Sequence, residues 1–351
     1  MKSLLRHARS LHSLAPANKD HVSAWRVAIS VAVPSLVLLA AGRPELIGYA
    51  VFGALTGMYG RTEPHQLRLR HQGQAAVLLL AGVGIGVFLS VQHIHSWALV
   101  VTEAAFAGAG SLFTDRTALK PAGPFFGILA LGACASVPAA VPWHAAVLIA
   151  AASAAFSIMV GFGGWFLGRD GQRGWRRGWR RDTTALRGAR RRAAGVHAAR
   201  YMTAVGAAGT IGVLSGSGHP HWAMAAAAVP LAGADLPNSV YRGIHRIVGT
   251  LAGLVVVAAV LFSWPGSPLL AFPGQEAAVL VCLVIVLQFS TELFMTRHYG
   301  LAMVSFTPVI LLLGQLAAPA DPGVLVTERA VETLVGAAVG IAVVVLIRRR
   351  R

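Results

Sequence analysis

Long apolar runs constrain this chain more than any other feature. A helix needs about 20 mostly apolar residues to cross the ~30 Å hydrocarbon core of a bilayer. The predicted spans are 24–41, 45–60, 73–91, 97–113, 122–140, 144–167, 199–216, 220–236, 246–264, 276–292, 298–317 and 326–347. The sequence therefore predicts an all-α polytopic membrane protein with about twelve transmembrane helices.

The composition excludes the common soluble classes. Only 12% of the residues are charged and 56% are hydrophobic, whereas a soluble domain carries about 25% charged residues. The net charge of +17 would suggest nucleic acid, but a nucleic-acid-binding domain does not expose so much Val, Leu, Ala and Gly. Cys134 and Cys282 lie inside apolar runs, so we expect neither disulfides nor a zinc site. Without a P-loop, HExxH or GxSxG motif, we expect no cofactor, no metal and no enzymatic activity.

Basic residues in the short connections predict the orientation of the helices, because Lys and Arg collect in cytoplasmic loops. With a cytoplasmic N-terminus, all but Arg43 and Arg329 of the 30 Lys and Arg residues fall at or near the inner face. The reverse orientation places nearly all of them outside. We therefore predict that both termini are cytoplasmic. The Ala-, Gly- and Arg-rich composition points to a bacterial plasma membrane.

The chain is predicted to have two six-helix halves around a basic linker. The parts are a cytoplasmic segment 1–23, a first repeat 24–167, a linker 168–198, a second repeat 199–347 and a basic tail 348–351. Segment 1–23 shows no small-residue cleavage site, so we do not expect a removed signal peptide. The linker places Trp175 and Trp179 on one helical face among ten arginines. This favours an amphipathic strip on anionic lipid, and a patch for nucleic acid or a protein partner is the alternative.

Matching residues at a nearly constant offset indicate that the halves are copies. Arg26 and Arg200 open the first and seventh spans, 174 residues apart. An offset of 176 aligns Pro44 with Pro220, Gly57 with Gly233, and Arg70-x-x-Gly73 with Arg246-x-x-Gly249. Six spans per copy give both copies the same orientation, with their axis along the membrane normal. Such a parallel repeat places its natural cavity on that axis.

Motifs in the second half resemble a known family. They are Arg242-x-x-x-Arg246-x-x-Gly249-Thr250-x-x-Gly253, then Arg297-x-Tyr299 followed by Pro308, and Arg329-x-x-Glu332-Thr333-x-x-Gly336-x-x-x-Gly340. Each resembles a block of the fusaric acid resistance (FUSC-like) and aromatic acid exporter proteins. In the first half, Gln66, His144 and Val147 stand where the second half has arginine, arginine and glutamate. The resemblance implies transport of organic anions, as does a more distant one to plant aluminium-activated malate transporters.

Arginines at the inner ends of helices are the first candidate site residues. An ionisable side chain costs ~2.5–3.5 kcal/mol at the centre of a membrane helix, so such residues face the bundle interior and are functional candidates. Arg242 and Arg246 are four residues apart on one face and are expected to form a cationic ring at the inner mouth. An arginine fork binds carboxylates in bidentate fashion. Arg26, Arg70 and Arg200 are further candidates, and snorkelling to lipid phosphate is the alternative for all five.

Three acidic residues in predicted spans are further candidate site residues. Glu103 in the fourth span is the predicted proton-coupling site, because a lone buried carboxylate can exchange a proton. Glu332 is a second candidate, but Arg329 lies one turn before it and is expected to pair with it in a structural or gating role. Asp235 lies at the end of the short eighth span. Two interpretations are open there: a broken helix exposes polar backbone groups to the cavity, or a proline simply ends the helix.

Two histidine pairs and three glycine spacings complete the motifs. His93-x-His95 and His219-x-His221 are expected to be outer-loop histidines, with a metal site as the less favoured alternative. Seams of small residues let helices pack closely. They are Gly53-x-x-x-Gly57, Gly249-x-x-x-Gly253 and Gly336-x-x-x-Gly340.

The leading hypothesis is a secondary exporter of small organic anions, namely aromatic or lipophilic carboxylates, driven by proton coupling or membrane potential. A passive anion channel of the same architecture is the second hypothesis. The third is an intramembrane enzyme or scaffold for a lipophilic substrate. The expected partners are the organic anion and anionic lipids rather than nucleic acid, and the chain is expected to be a monomer or a homodimer.

Overall fold

Every regular element of the described chain is a helix. The computed structural model describes residues 20–61, 63–93, 96–166, 188–233, 235–262 and 275–347. Within these ranges the α-helices are α1 (Asp20–Ala40), α2 (Ile47–Ala54), α3 (His65–Val91), α4 (Ser96–Thr117), α5 (Phe125–Ala135), α6 (Trp143–Phe166), α7 (Gly188–Leu214), α8 (His221–Leu231), α9 (Leu236–Phe262), α10 (Gln275–Phe294), α11 (Tyr299–Ala317) and α12 (Pro322–Leu346). Short 3-10 helices flank α2. The predicted all-α class is confirmed.

Among the described helices, eight are long and apolar enough to cross a membrane: α1, α3, α4, α6 and α9 to α12. Helices α2, α5 and α8 have 8, 11 and 11 residues, which is too short at 1.5 Å per residue for a complete crossing. Helix α7 is long, but its arginines and glycines lower the mean hydropathy of the helix. The protein is thus a multi-pass membrane protein, while twelve crossings stay a prediction.

Prolines explain why two predicted spans give short helices. Pro220 occupies the N-cap of α8, and the helix ends one residue after Pro230. Pro124 is likewise the N-cap of α5, and Pro138 follows shortly after that helix ends. Proline lacks an amide hydrogen and disfavours helical backbone in the residue before it. The apolar runs around both helices therefore continue as loop.

The start of the second half differs from the prediction. Helix α7 begins at Gly188, whereas the sequence places the linker as far as residue 198. Alanine and arginine are strong helix formers, and no proline interrupts this stretch, so the helix extends well beyond the apolar run. The strip with Trp175 and Trp179 lies outside the described residues, as do segment 1–19 and the tail 348–351.

The helices pack in corresponding pairs in the two halves. Helix α3 contacts α5 and α6, and α9 contacts α11 and α12. Helix α2 packs on α6 as α8 packs on α12, and α1 contacts α2 as α7 contacts α8. Between the halves, α4 contacts α7 and α10 contacts α1, while α5 contacts α8 and α11 contacts α2. Exchanging the two halves therefore leaves this set of contacts unchanged.

The connections alternate between two ends of the bundle. One end carries Arg61, Arg68, Arg116 and Arg297 in or beside its connections, and we call it the arginine-rich end. The turns that follow α1, α3, α5, α7 and α11 lie at the opposite end.

Backbone-to-backbone contact at glycines fixes the distance between paired helices. A Cβ on Gly336 of α12 would lie 2.1 Å from the carbonyl oxygen of Ala223 in α8. A Cβ on Gly53 of α2 would lie 2.1 Å from the carbonyl oxygen of Ala150 in α6. Both separations are far below van der Waals contact, so only glycine permits these seams.

Gly336→Ala is expected to lower the thermal unfolding midpoint in detergent, since the added methyl must push α12 away from α8. Overpacking of this kind costs about 1–3 kcal/mol. The matched control is Gly73→Ala in α3, because a Cβ there meets nothing within 4 Å. Circular dichroism melting would check both. Equal midpoints for the two variants would contradict the role of the Gly336 seam.

Candidate functional site

A cavity of about 210 Å³ lies between the two halves. Its lining comes from α2 and α5 of the first half and from α8 and α11 of the second. Most lining side chains are apolar, and the polar ones are Glu45, Ser136, His219, His221 and Gln315. An apolar concavity with a few convergent polar groups is the usual form of a small-molecule site. This cavity lies at the end of the bundle opposite the arginine-rich end.

A carboxylate marks the rim of the cavity. The Arg43 side chain donates a hydrogen bond to the Glu45 carboxylate. This bond lowers the pKa of Glu45 from its ordinary value. The rim therefore carries a paired, ionised carboxylate.

One wall of the cavity is a stack of His219, Trp222 and Arg329. The rings of His219 and Trp222 are nearly parallel, with centroids 4.3 Å apart. The His219 Nδ1 pairs with the Glu328 carboxylate, which holds the imidazole in place. The guanidinium carbon of Arg329 lies 5.2 Å from the centroid of the Trp222 ring. His219 and Trp222 line the cavity and Arg329 does not. The Trp222 ring therefore shields the arginine from the cavity.

Arg329 is a fully buried cation without a hydrogen-bond acceptor. Its exposed fraction is 0%, and none of its three guanidinium nitrogens has a hydrogen-bond partner within the described chain. Removing a charge from water costs several kcal/mol unless a partner compensates it. The cation–π contact with Trp222 returns only about 0.5–2 kcal/mol. Arg329 is therefore suited to bind an anion.

Arg329 and Glu332, which were expected to pair, interact through their charges without a direct hydrogen bond. The two charges lie one helical turn apart and interact, but no hydrogen bond joins them, since every Arg329 nitrogen is unpartnered in the described chain. The Glu332 carboxylate oxygen Oε2 lies 3.3 Å from the position of a Cβ on Gly212. Glu332 thus points toward α7, whereas Arg329 points toward Trp222 on α8.

Glu103 is the second buried charge-bearing group near the cavity. It is 0% exposed, and neither carboxylate oxygen has a hydrogen-bond partner among the described residues. Those oxygens lie 3.1 and 3.2 Å from the position of a Cβ on Gly132 of α5. The sequence expectation of a lone buried carboxylate agrees with this geometry, and its role in proton coupling stays a prediction.

The predicted arginine ring is only partly assembled. Arg242 and Arg246 both face α11, where Arg242 lies 4.8 Å from the Tyr299 ring centroid and Arg246 donates to the Met303 sulfur at 3.0 Å. Arg246 is fully buried. The other arginines occupy separate places: Arg26 donates to the Arg61 carbonyl oxygen, Arg200 to the Val344 carbonyl oxygen, and Arg70 is exposed.

An aromatic cluster separates the cavity from the arginine-rich end. Phe306 of α11 lies 5.8 Å from Phe126 and 6.3 Å from Phe125, both on α5. Tyr59 packs on Phe126 with ring centroids 6.2 Å apart. The Arg246 guanidinium carbon lies 5.2 Å from the Phe125 ring centroid. These rings from both halves pack together on the arginine-rich side of the cavity, and Arg246 lies against one of them.

Asp235 and the histidine pairs have local surroundings. Asp235 is exposed and accepts a hydrogen bond from the Asn238 amide, so it caps α9, which favours the simple helix-end alternative. His93 is exposed in a turn, and His95 lies outside the described residues. Among the described residues no group of three or more His, Cys, Asp or Glu could hold a metal ion. His221, expected in a loop, is instead buried at the start of α8.

Sequence reasoning missed a buried ion cluster that joins the halves at the arginine-rich end. Arg61 donates to Asp20 of α1 and to Glu292 of α10, both at 2.9 Å. The Ser23 hydroxyl donates to Glu292 at 2.7 Å, and the Thr296 hydroxyl to Asp20 at 3.1 Å. We call these five residues the Arg61 cluster. Arg61 entered the sequence argument only as a topology marker, because its partners are 41 and 231 residues away.

The comparisons with known proteins concern mainly the second half. Residues 206–343 match a family model described as "Fusaric acid resistance protein-like". This region is therefore similar to fusaric acid resistance-like proteins. The matched region contains Arg246, Arg329, Glu332, His221 and Trp222. The predicted resemblance is therefore confirmed over the part in which the motifs are sharp.

A bacterial membrane protein is also similar to part of this chain. It is the "Uncharacterized membrane protein YvaC" of Bacillus subtilis (strain 168), 27% identical over 156 residues. The similar region is 44% of this chain but 23% of the relative, so the match spans about a quarter of that protein's length. No solved structure matches.

Arg61→Ala is expected to lower the thermal midpoint strongly, because it leaves the buried carboxylates of Asp20 and Glu292 without their cation. Breaking a buried pair costs about 3–5 kcal/mol. The control is Arg43→Ala, whose pair with Glu45 is 48% and 29% exposed and is expected to contribute about 0–1 kcal/mol. Melting in detergent checks both, and a loss no larger than in Arg43→Ala would show that the Arg61 cluster does not hold the halves together.

Proposed function

We propose that this protein is a secondary transporter that exports small organic anions, namely aromatic or lipophilic carboxylates, from a bacterial cell. One observation carries the proposal: an apolar cavity lies between the halves, and behind its Trp222 wall is the buried Arg329, which has no hydrogen-bond acceptor in the described chain. The match to fusaric acid resistance-like proteins supports an efflux role. It also makes an enzymatic function less favoured.

The transport architecture is two parallel six-helix repeats with the pathway along their common axis. Its support is the exchange of equivalent helix contacts between halves, such as α4 with α7 and α10 with α1. Residues 24–167 and 199–347 remain the core of each repeat, with α7 starting earlier. In this arrangement the halves rock or gate around the central cavity.

The proposed orientation places the arginine-rich end and both termini in the cytoplasm, following the positive-inside rule. The cavity then faces the outside, and the aromatic cluster of Tyr59, Phe125, Phe126 and Phe306 closes the cytoplasmic side. This corresponds to the conformation that releases substrate. Anions collect near Arg242 and Arg246 on the cytoplasmic side before the halves rearrange.

The chemistry of the cavity fits an aromatic carboxylate. Arg329 supplies a planar fork that binds a carboxylate in bidentate fashion. Stacking of His219 on Trp222 offers flat apolar faces on which a substrate ring packs. Because Trp222 covers Arg329 in this conformation, the tryptophan must move aside when the carboxylate reaches the arginine.

The driving force is proton coupling through Glu103, together with the membrane potential. A buried carboxylate without a cation partner can take up a proton from the outside and give it up inside. The potential adds ~2.3 kcal/mol per charge for each 100 mV. Glu332, which has a charge neighbour in Arg329, serves in gating.

The test is flux through purified protein in liposomes, with phthalate, malate and chloride as probes. Wild-type protein is expected to take up phthalate into liposomes with an acidic interior, because protons leave as anions enter. Arg329→Gln is expected to abolish this uptake, since the fork for the carboxylate is gone. The control is Arg116→Gln, an exposed arginine in the last turn of α4 at the end of the bundle opposite the cavity, and it is expected to retain uptake.

Each alternative gives a different result in the same assay. A passive channel would move chloride or malate regardless of the pH gradient, and Glu103→Gln would leave that flux unchanged. An intramembrane enzyme would give no flux of any probe from well-folded protein. Either result would overturn the exporter.

A further inference from the structure

His221 is a buried titratable group that the proposed function leaves without a role. It is 3% exposed at the start of α8 and lines the cavity. Its ring nitrogen Nδ1 lies 2.8 Å from the hydroxyl oxygen of Ser136, which also lines the cavity. The imidazole therefore makes a polar contact at the cavity surface, although most of the side chain is enclosed.

Gly132 of α5 brings His221 and Glu103 to the same point inside the protein. The position of a Cβ on Gly132 lies 2.6 Å from the Cβ of His221 and 3.1 Å from a carboxylate oxygen of Glu103. Only glycine leaves room for both neighbours. His221 lines the cavity and Glu103 does not, so the histidine connects the space beside Gly132 with the cavity surface.

We infer that His221, together with Ser136, relays protons between the cavity and Glu103. The inference rests on the proposed function, because it describes how the proton site of that transporter is reached. A proton from the cavity binds the neutral imidazole. A side-chain rotation then brings the imidazolium within hydrogen-bond distance of the Glu103 carboxylate, which has no such partner among the described residues in this conformation, and the proton passes to it. The products are a neutral imidazole and a neutral carboxylic acid, so only bonds to hydrogen form and break.

The surrounding charges favour passage of the proton over its storage on His221. His219, just before α8, and Arg329 on α12 both interact with the charge of His221. A positive Arg329 repels an imidazolium, which drives the proton onward. From α4, Glu103 is available to the proton, since neither carboxylate oxygen has a hydrogen-bond partner among the described residues. From α5, Ser136 contributes a neutral hydroxyl that can accept and donate a hydrogen bond.

Two phthalate assays in liposomes separate proton coupling from substrate movement. The first is exchange of labelled phthalate at equal pH on both sides, which needs no net proton transfer. The second is phthalate accumulation driven by an acidic interior. We expect His221→Gln to keep exchange near the wild-type rate and to lose accumulation, as Glu103→Gln also does. His144→Gln, an exposed histidine on α6, is the matched control and is expected to keep both.

Gly132→Ala tests the same relay without removing any titratable group. Its methyl occupies the space shared by His221 and Glu103, so accumulation is expected to fall while exchange continues. Accumulation at the wild-type level in His221→Gln and in Gly132→Ala would overturn the relay and leave the transporter intact. Wild-type protein that moves no phthalate in either assay would overturn both. Loss of exchange in His221→Gln would make the histidine a substrate residue instead.

Discussion

The cost of placing charge inside a bilayer is the constraint on which the rest of this structure depends. For two groups no hydrogen bond offsets that cost, because Arg329 and Glu103 are fully buried and neither has a hydrogen-bond partner in the described chain. The Arg61 cluster bears the same kind of cost but compensates it internally. The difference separates two uses of buried charge. Compensated charge joins the halves, and uncompensated charge beside a cavity is available to a ligand or a proton.

Close packing at glycines makes these placements possible. Helices in lipid gain little from hydrophobic association, so tight van der Waals contact has to hold them together. Gly336 and Gly53 allow direct backbone contact between paired helices. Gly132 uses the same missing side chain differently, since its space accommodates parts of Glu103 and His221. Glycine thus permits backbone contact between helices at Gly336 and Gly53, and leaves space for two side chains at Gly132.

The sequence predicts the helices well and the site only in part. Apolar runs locate each described helix, and motifs around Arg246 and Arg329 lead to the family that residues 206–343 match. Helix length is less predictable, because α5 and α8 end five residues before the predicted spans 122–140 and 220–236 do. The Arg61 cluster and the position of His221 depend on contacts between distant segments. Hydropathy and local spacing carry no signal for such contacts, which is why the sequence argument placed His221 in a loop.

The short helices α5 and α8 have an electrical consequence. Eleven residues span about 17 Å, so α5 and α8 cover only part of the ~30 Å hydrocarbon core. The cavity that they line reaches from the end of α11 into the space beside them. In the proposed orientation this cavity carries the outside potential part of the way into the membrane. A charge that leaves the cavity for the cytoplasm then crosses only the remaining thickness of protein, and the membrane voltage acts on it over that shorter distance.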